Sequence, residues 1–134
     1  MIKDIKIPEV KNVTLAVARK LNSADHFEWR VYLINNNDEA IENTLVASKG
    51  YGHKDGEEQK TSILRHFLDT IAPNSATLIE LIDPAVFHLN NEYWVSYYIG
   101  TQIFDKRFVF VPDSIREENI SFIKELEMEG VLHS

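Results

Sequence analysis

Strand-like patterning is densest between positions 93 and 111. There Tyr93, Trp94, Val95, Ser96, Tyr97, Tyr98 and Ile99 precede Gly100-Thr101, and Gln102, Ile103, Phe104, Asp105, Lys106, Arg107, Phe108, Val109, Phe110 and Val111 follow. Two runs rich in aromatic and β-branched residues around a glycine turn predict a β-hairpin, and its large side chains predict the central strands of a sheet. Upstream, Val13, Leu15, Val17 and Leu21 alternate with Thr14, Ala16, Ala18 and Lys20, the period of a half-buried strand. Asn22, Ser23, Ala24 and Asp25 supply a turn. The cleanest alternation follows, with Phe27, Trp29, Val31 and Leu33 on one face and Glu28, Arg30 and Tyr32 on the other. Asn35, Asn36, Asn37 and Asp38 end that strand.

Positions 41–48 resume extended structure, with Ile41, Leu45 and Ala47 on one row and Glu42, Thr44 and Ser48 adding polarity. Positions 49–60 hold Gly50, Gly52 and Gly56 among charged residues and read as an exposed, mobile loop. Positions 61–71 fit two periods: Ile63, Leu64, Phe67, Leu68 and Ile71 form a helical stripe, while Ile63, Arg65 and Phe67 against Leu64, His66 and Leu68 also line a strand. Strand is preferred, because Pro73, Asn74 and Ser75 lead into another short extended run at 76–82. Asp83-Pro84 breaks that run and Asn90-Asn91 offers a turn into the hairpin. After Pro112 the texture changes. Ser114 and Glu117 have capping-box spacing, Ile115, Phe122, Ile123 and Leu126 share a helical side, and Gly130 suits a helix stop, which predicts a helical segment at about 114–129.

About seven strands with polar turns and helix left to the C-terminus predict an all-β, antiparallel β-sandwich. At 134 residues with 44% hydrophobic content, the chain fits one domain with a core, spanning 1–134 without internal repeats. The arrangement resembles an immunoglobulin-like sandwich: Tyr93 lies two before Val95, as a corner tyrosine lies two before the second cysteine of such folds. The cysteines are absent, and Trp29 falls on the second strand rather than the third.

A net charge of -7 argues against non-specific nucleic-acid binding, which draws its affinity from Lys and Arg displacing counterions. Lys3, Lys6, Lys11, Arg19 and Lys20 are the basic residues nearest one another, and with acidic residues among them they read as solvated surface. The lack of cysteine excludes disulfides, thiolate metal sites and cysteine nucleophiles, and suits a reducing compartment. Charges interrupt every apolar pair from Met1 to Pro8, so no secretory signal is read there, and no run approaches the roughly 20 apolar residues of a membrane span. The expectation is a cytoplasmic protein without membrane or nucleic-acid partners.

Candidate chemistry is sparse. His53, Asp55, Glu57 and Glu58 have metal-ligand character but sit among glycines that do not preorganise them. Ser62, His66 and Asp69 are residue types of a hydrolytic triad, yet such groups normally converge from separate elements, so His66 is read as a hydrogen-bonded sheet residue. No catalytic residue, metal ligand or cofactor is assigned. The remaining signal is aromatic: Tyr93, Val95, Tyr97 and Ile99 on one row of the strand, Trp94 and Tyr98 on the other. Trp94, Tyr98, Tyr93 and Tyr97 are therefore the candidate binding residues, for a protein partner or a second copy of the chain. The alternative is a small-ligand or metal-binding protein.

The motifs Trp29-Arg30-Val31-Tyr32-Leu33-Ile34-Asn35, Ser48-Lys49-Gly50-Tyr51, Lys60-Thr61-Ser62 and Arg65-His66 are similar to those of a group of short, uncharacterised bacterial proteins labelled phenylalanyl-tRNA synthetase alpha subunit. The resemblance covers most of the chain. It implies a shared fold and, through the label, a tRNA-synthetase-linked role; its motifs are not catalytic ones, and no site residue is carried over.

Overall fold

The computed structural model describes residues 8–134, so Lys3, Lys6 and the N-terminal stretch read for a signal lie outside the described residues. Alternating patterns become strands throughout: β1 (Val13–Leu21), β2 (Phe27–Asn35), β3 (Ile41–Lys54), β4 (Glu57–Lys60), β5 (Leu64–Ile71), β6 (Ser75–Leu81), β7 (Asn90–Ile99), β8 (Gln102–Phe110), β9 (Ser121–Ile123) and β10 (Met128–His133). They form two antiparallel sheets. One has the order β6-β2-β1-β10-β9; the other has β4-β3-β7-β8, with β5 also pairing with β3. The inward rows of both meet in one core, in which Leu15, Val17, Val31 and Leu33 face Val46, Tyr93, Val95, Tyr97 and Phe108. Among the described residues no helix is long and apolar enough to cross a membrane.

The hairpin at 93–111 forms with the expected turn, at which Gly100 takes a positive φ of 61°. Positions 61–71 contain strand β5. Five expectations are corrected. Among the described residues ten strands replace the anticipated seven, because the C-terminal region and the glycine-containing stretch are themselves extended. Gly50 and Gly52 belong to β3 rather than to a mobile loop; a Cβ on Gly50 would lie 3.0 Å from Thr61 and one on Gly52 3.2 Å from Leu89, so these glycines are where neighbouring segments pack closely. Gly56, with φ 78°, serves the turn from β3 to β4.

No C-terminal helix exists. The Ser114 hydroxyl donates to the Val111 carbonyl instead of capping an amide, and Glu117 pairs with Arg19 at 2.5 Å. After a short 3-10 turn at Glu117–Asn119, the chain forms the β9–β10 hairpin, and β10 completes the free edge of β1. Helix propensity is a weak prior, and here it loses to the satisfaction of an open row of backbone groups. Gly130 is no helix stop: a Cβ there would lie 2.3 Å from the Val17 carbonyl oxygen, so its bareness is what lets β10 approach β1.

The third strand also departs from simple alternation. Asn43 takes φ 49° within a register shift against both β5 and β7. This bulge inserts one residue, so Ile41, Thr44, Val46 and Ser48 point inward while Leu45 is turned outward. Asn90-Asn91 begins β7 rather than forming a turn; buried Asn91 donates through Nδ2 to the carbonyls of Val86 and Leu89.

Candidate functional site

The outward face of the β5-β3-β7-β8 sheet carries the features of a binding surface. Directly opposed residues of an antiparallel pair point the same way, so the register defines rows across the strands. Arg65, Ala47, Trp94 and Arg107 form one row, from β5 to β8. Phe67, Leu45, Ser96 and Asp105 form the next. Beyond them Tyr98 lies between Glu42 and Ile103. Phe67 is 62% exposed, Leu45 52% and Trp94 45%, with Ile103 also exposed and Tyr98 half-buried. Phe67 follows Arg65 on the outward row of β5, just before a second register shift at Asp69 with φ 56°, whereas Leu45 is delivered by the Asn43 bulge. The Trp94 indole N–H donates to the Asp105 carboxylate, which orients the ring across the β7–β8 pair.

The four aromatic candidates divide between the two faces. Trp94 and Tyr98 lie on this surface, but Tyr93 and Tyr97 are 2% and 1% exposed and point into the core. Tyr97 stacks on Phe104 with ring centroids 5.1 Å apart, and burial pushes its phenol up to about 12. Among the described residues no helix covers the outward row. Arg65, Phe67 and Leu45 were missed as binding residues; only the register across β5 and β3, with its bulge, brings them beside Trp94.

Toward one end of the same face lies a cleft of about 750 Å³, lined among others by Lys49, Tyr51, His53, Lys60, Glu92 and Arg107. Glu92 points outward from β7, yet only 6% of it is exposed. Its carboxylate accepts from the Tyr51 hydroxyl at 3.2 Å and stands 3.6 Å from both Lys49 Nζ and Arg107 Nη1. Desolvation, followed by the adjacent Glu92 charge, raises the Tyr51 phenol above its ordinary value. Two cations facing one buried carboxylate leave the cleft floor with a local positive excess in an otherwise acidic protein. His53 opposes Glu58 across the β3–β4 pair and Asp55 sits at the turn with φ 53°. Among the described residues no three His, Asp or Glu side chains converge as a metal site.

His66 is a hydrogen-bonded sheet residue, and its partners are neither Ser62 nor Asp69. Its Nε2 donates to Glu80 Oε1 at 2.7 Å, Ser48 Oγ donates to the same oxygen at 2.7 Å, and Tyr93 Oη donates to Glu80 Oε2 at 3.3 Å. Glu80 is on β6 of the other sheet, so its carboxylate ties three strands of one sheet to the facing one. The order of contacts is wrong for a nucleophilic triad, which requires the imidazole to accept the serine proton. Burial, and then the neighbouring Glu80 charge, raise the Tyr93 phenol far above its ordinary value, so it stays a neutral donor. Comparisons with protein-family models, curated proteins and solved structures find no match for the chain.

Proposed function

We propose that the protein is a cytoplasmic, non-catalytic interaction module that binds a protein surface through the outward face of β5-β3-β7-β8. The observation that carries this reading is the row Arg65-Ala47-Trp94-Arg107, flanked by exposed Leu45 and Phe67. Trp, Tyr and Arg dominate binding hot spots because they bury large area while keeping a polar or charged end. An exposed apolar patch framed by charge is where a soluble protein meets a partner. The test places a photo-crosslinking residue at position 94 and, as a control, at Leu132 on the other sheet. A covalent protein adduct at 94 and not at 132 is expected; no adduct at 94, or equal adducts at both, refutes the reading.

We infer also that the sandwich is an immunoglobulin-like variant. Support comes from the orders β6-β2-β1 and β3-β7-β8: with β4 set aside as a strand added beside β3, β2–β6 and β3–β7 take the places of the second–fifth and third–sixth pairs of that topology. β5 beside β3 and the added β9–β10 hairpin are departures, and the Tyr93 hydroxyl reaches a carboxylate rather than backbone.

A second reading rests on the cleft at Glu92. Its volume falls in the range of small-molecule sites, and Lys49, Arg107 and Tyr51 supply polar groups for a small anionic ligand. A rise in melting temperature with a carboxylate or phosphate metabolite, lost in Arg107→Ala, supports it; no shift across such a panel rejects it.

A further inference from the structure

We infer that the occupant of the outward face is a second copy of this chain, joined face to face about a two-fold axis that runs along the rows between Trp94 and Ser96. This rests on the reading of that face as a protein-binding surface. The two adjacent rows are complementary position by position. On β8 one row has Arg107 and the next Asp105; on β7, Trp94 and Ser96; on β3, Ala47 and Leu45; on β5, Arg65 and Phe67.

A two-fold axis lying in the interface, parallel to the rows and midway between them, sets each strand against itself and exchanges the two rows. An isologous contact of this kind requires a self-complementary patch. Arg107, beside its own Glu92, then faces Asp105 of the second copy, and Asp105, which also accepts from its own Trp94, faces the second copy's Arg107. Large Trp94 meets small Ser96, and Leu45 meets small Ala47, so the bulky side chains of one copy fill the gaps of the other. Arg65 meets the ring of Phe67, the geometry of a cation–π contact. Every opposition occurs twice. The result is sheet-on-sheet packing in which each strand runs antiparallel to its own copy across the interface. The exposed area of Phe67, Leu45 and Trp94 supplies the apolar centre. The paired Arg107 and Asp105 fix register and offset the mutual repulsion of two chains of net charge -7.

Charge exchange tests the axis itself. Molar mass by light scattering is measured over a range of protein concentration for wild type, Arg107→Asp, Asp105→Arg and the double variant R107D/D105R, each checked for folding by circular dichroism. Wild type is expected to be dimeric. Each single variant opposes two like charges twice, and its dimer weakens by about tenfold or more. The double variant restores opposite charges at both symmetric positions and recovers the dimer. A monomeric wild type overturns the inference, as does a dimer indifferent to the single variants or one not recovered in the double. The crosslinking residue at position 94 separates the two readings: an adduct with a different protein leaves the interaction surface standing and removes self-association, whereas no adduct together with a monomer removes both.

Discussion

Replacing Glu80 with alanine should cost several kilocalories per mole, because its carboxylate is a shared acceptor between the sheets. Ser48 and Tyr93 are 5% and 2% exposed, so in Glu80→Ala their hydroxyls lose an acceptor that water does not readily replace. Each stranded hydroxyl costs about 1–3 kcal/mol. His66 is half-buried and regains water, so it adds little. Against these losses stands relief from keeping a carboxylate out of water, a penalty of several kcal/mol for a fully buried ion and less here, where 14% of the side chain is exposed. The net expectation is about 2–4 kcal/mol, a large share of the roughly 5–15 kcal/mol that holds a domain folded. Glu80→Gln should lose about 1 kcal/mol or less, since the amide oxygen still accepts from Ser48 and His66 while its NH₂ can donate to the Tyr93 hydroxyl. The assay is urea unfolding followed by tryptophan fluorescence at neutral pH, in the wild-type and Tyr93→Phe backgrounds. With the phenol removed, Glu80→Ala should cost about 1–2 kcal/mol less. A cost below about 1 kcal/mol, or an equal cost in both backgrounds, would refute the reasoning.

Gly130→Ala should destabilise by about 2–3 kcal/mol, because its Cβ falls 2.3 Å from the Val17 carbonyl oxygen and β10 must withdraw from β1; urea midpoints and faster amide exchange in β10 report it. Thr44→Val should stabilise by about 1 kcal/mol, since the buried Thr44 hydroxyl has no hydrogen-bond partner among the described residues and a methyl of the same shape removes that penalty; an unchanged or lower urea midpoint counts against it. Alkaline pH should unfold the protein in a defined window. Burial raises the Tyr97 phenol from 10 to about 12, so the fold favours the protonated form; that stability is intact below pH 10 and is lost as pH rises toward 12, by about 2–3 kcal/mol for this group. Tyr97→Phe should flatten the decline in pH-dependent urea titrations, and an unaltered slope counts against the assignment.

Much of the fold was legible because alternation has a period of two wherever one face of a strand is buried. Strands β1 and β2, the β7–β8 hairpin and the extended state of β5 and β6 followed from it, as did the break at Asp83-Pro84. The division of Tyr93 and Tyr97 from Trp94 and Tyr98 into opposite rows was equally readable, since neighbouring side chains point to opposite faces. Sequence could not say which row was the inner one, because both carry large rings. The core decides it by closing on Tyr93, Val95 and Tyr97.

Tertiary contacts alone decided the rest. The C-terminal residues have a helical stripe, but the open edge of β1 and the absence of a side chain at Gly130 make a strand the better satisfied state. The Asn43 bulge is one extra residue, invisible to a pattern reading, and it reverses which of Leu45 and Val46 reaches solvent. The binding face draws Arg65, Leu45, Trp94 and Arg107 from four strands, and the inter-sheet cluster joins Ser48, His66, Glu80 and Tyr93 across separations up to 45 positions. Local sequence determined where the chain is extended and which side chains alternate, because those are properties of a few consecutive residues. Register, edge pairing and the meeting of the sheets determined the surface, because they depend on backbone groups and side chains distant along the chain finding one another.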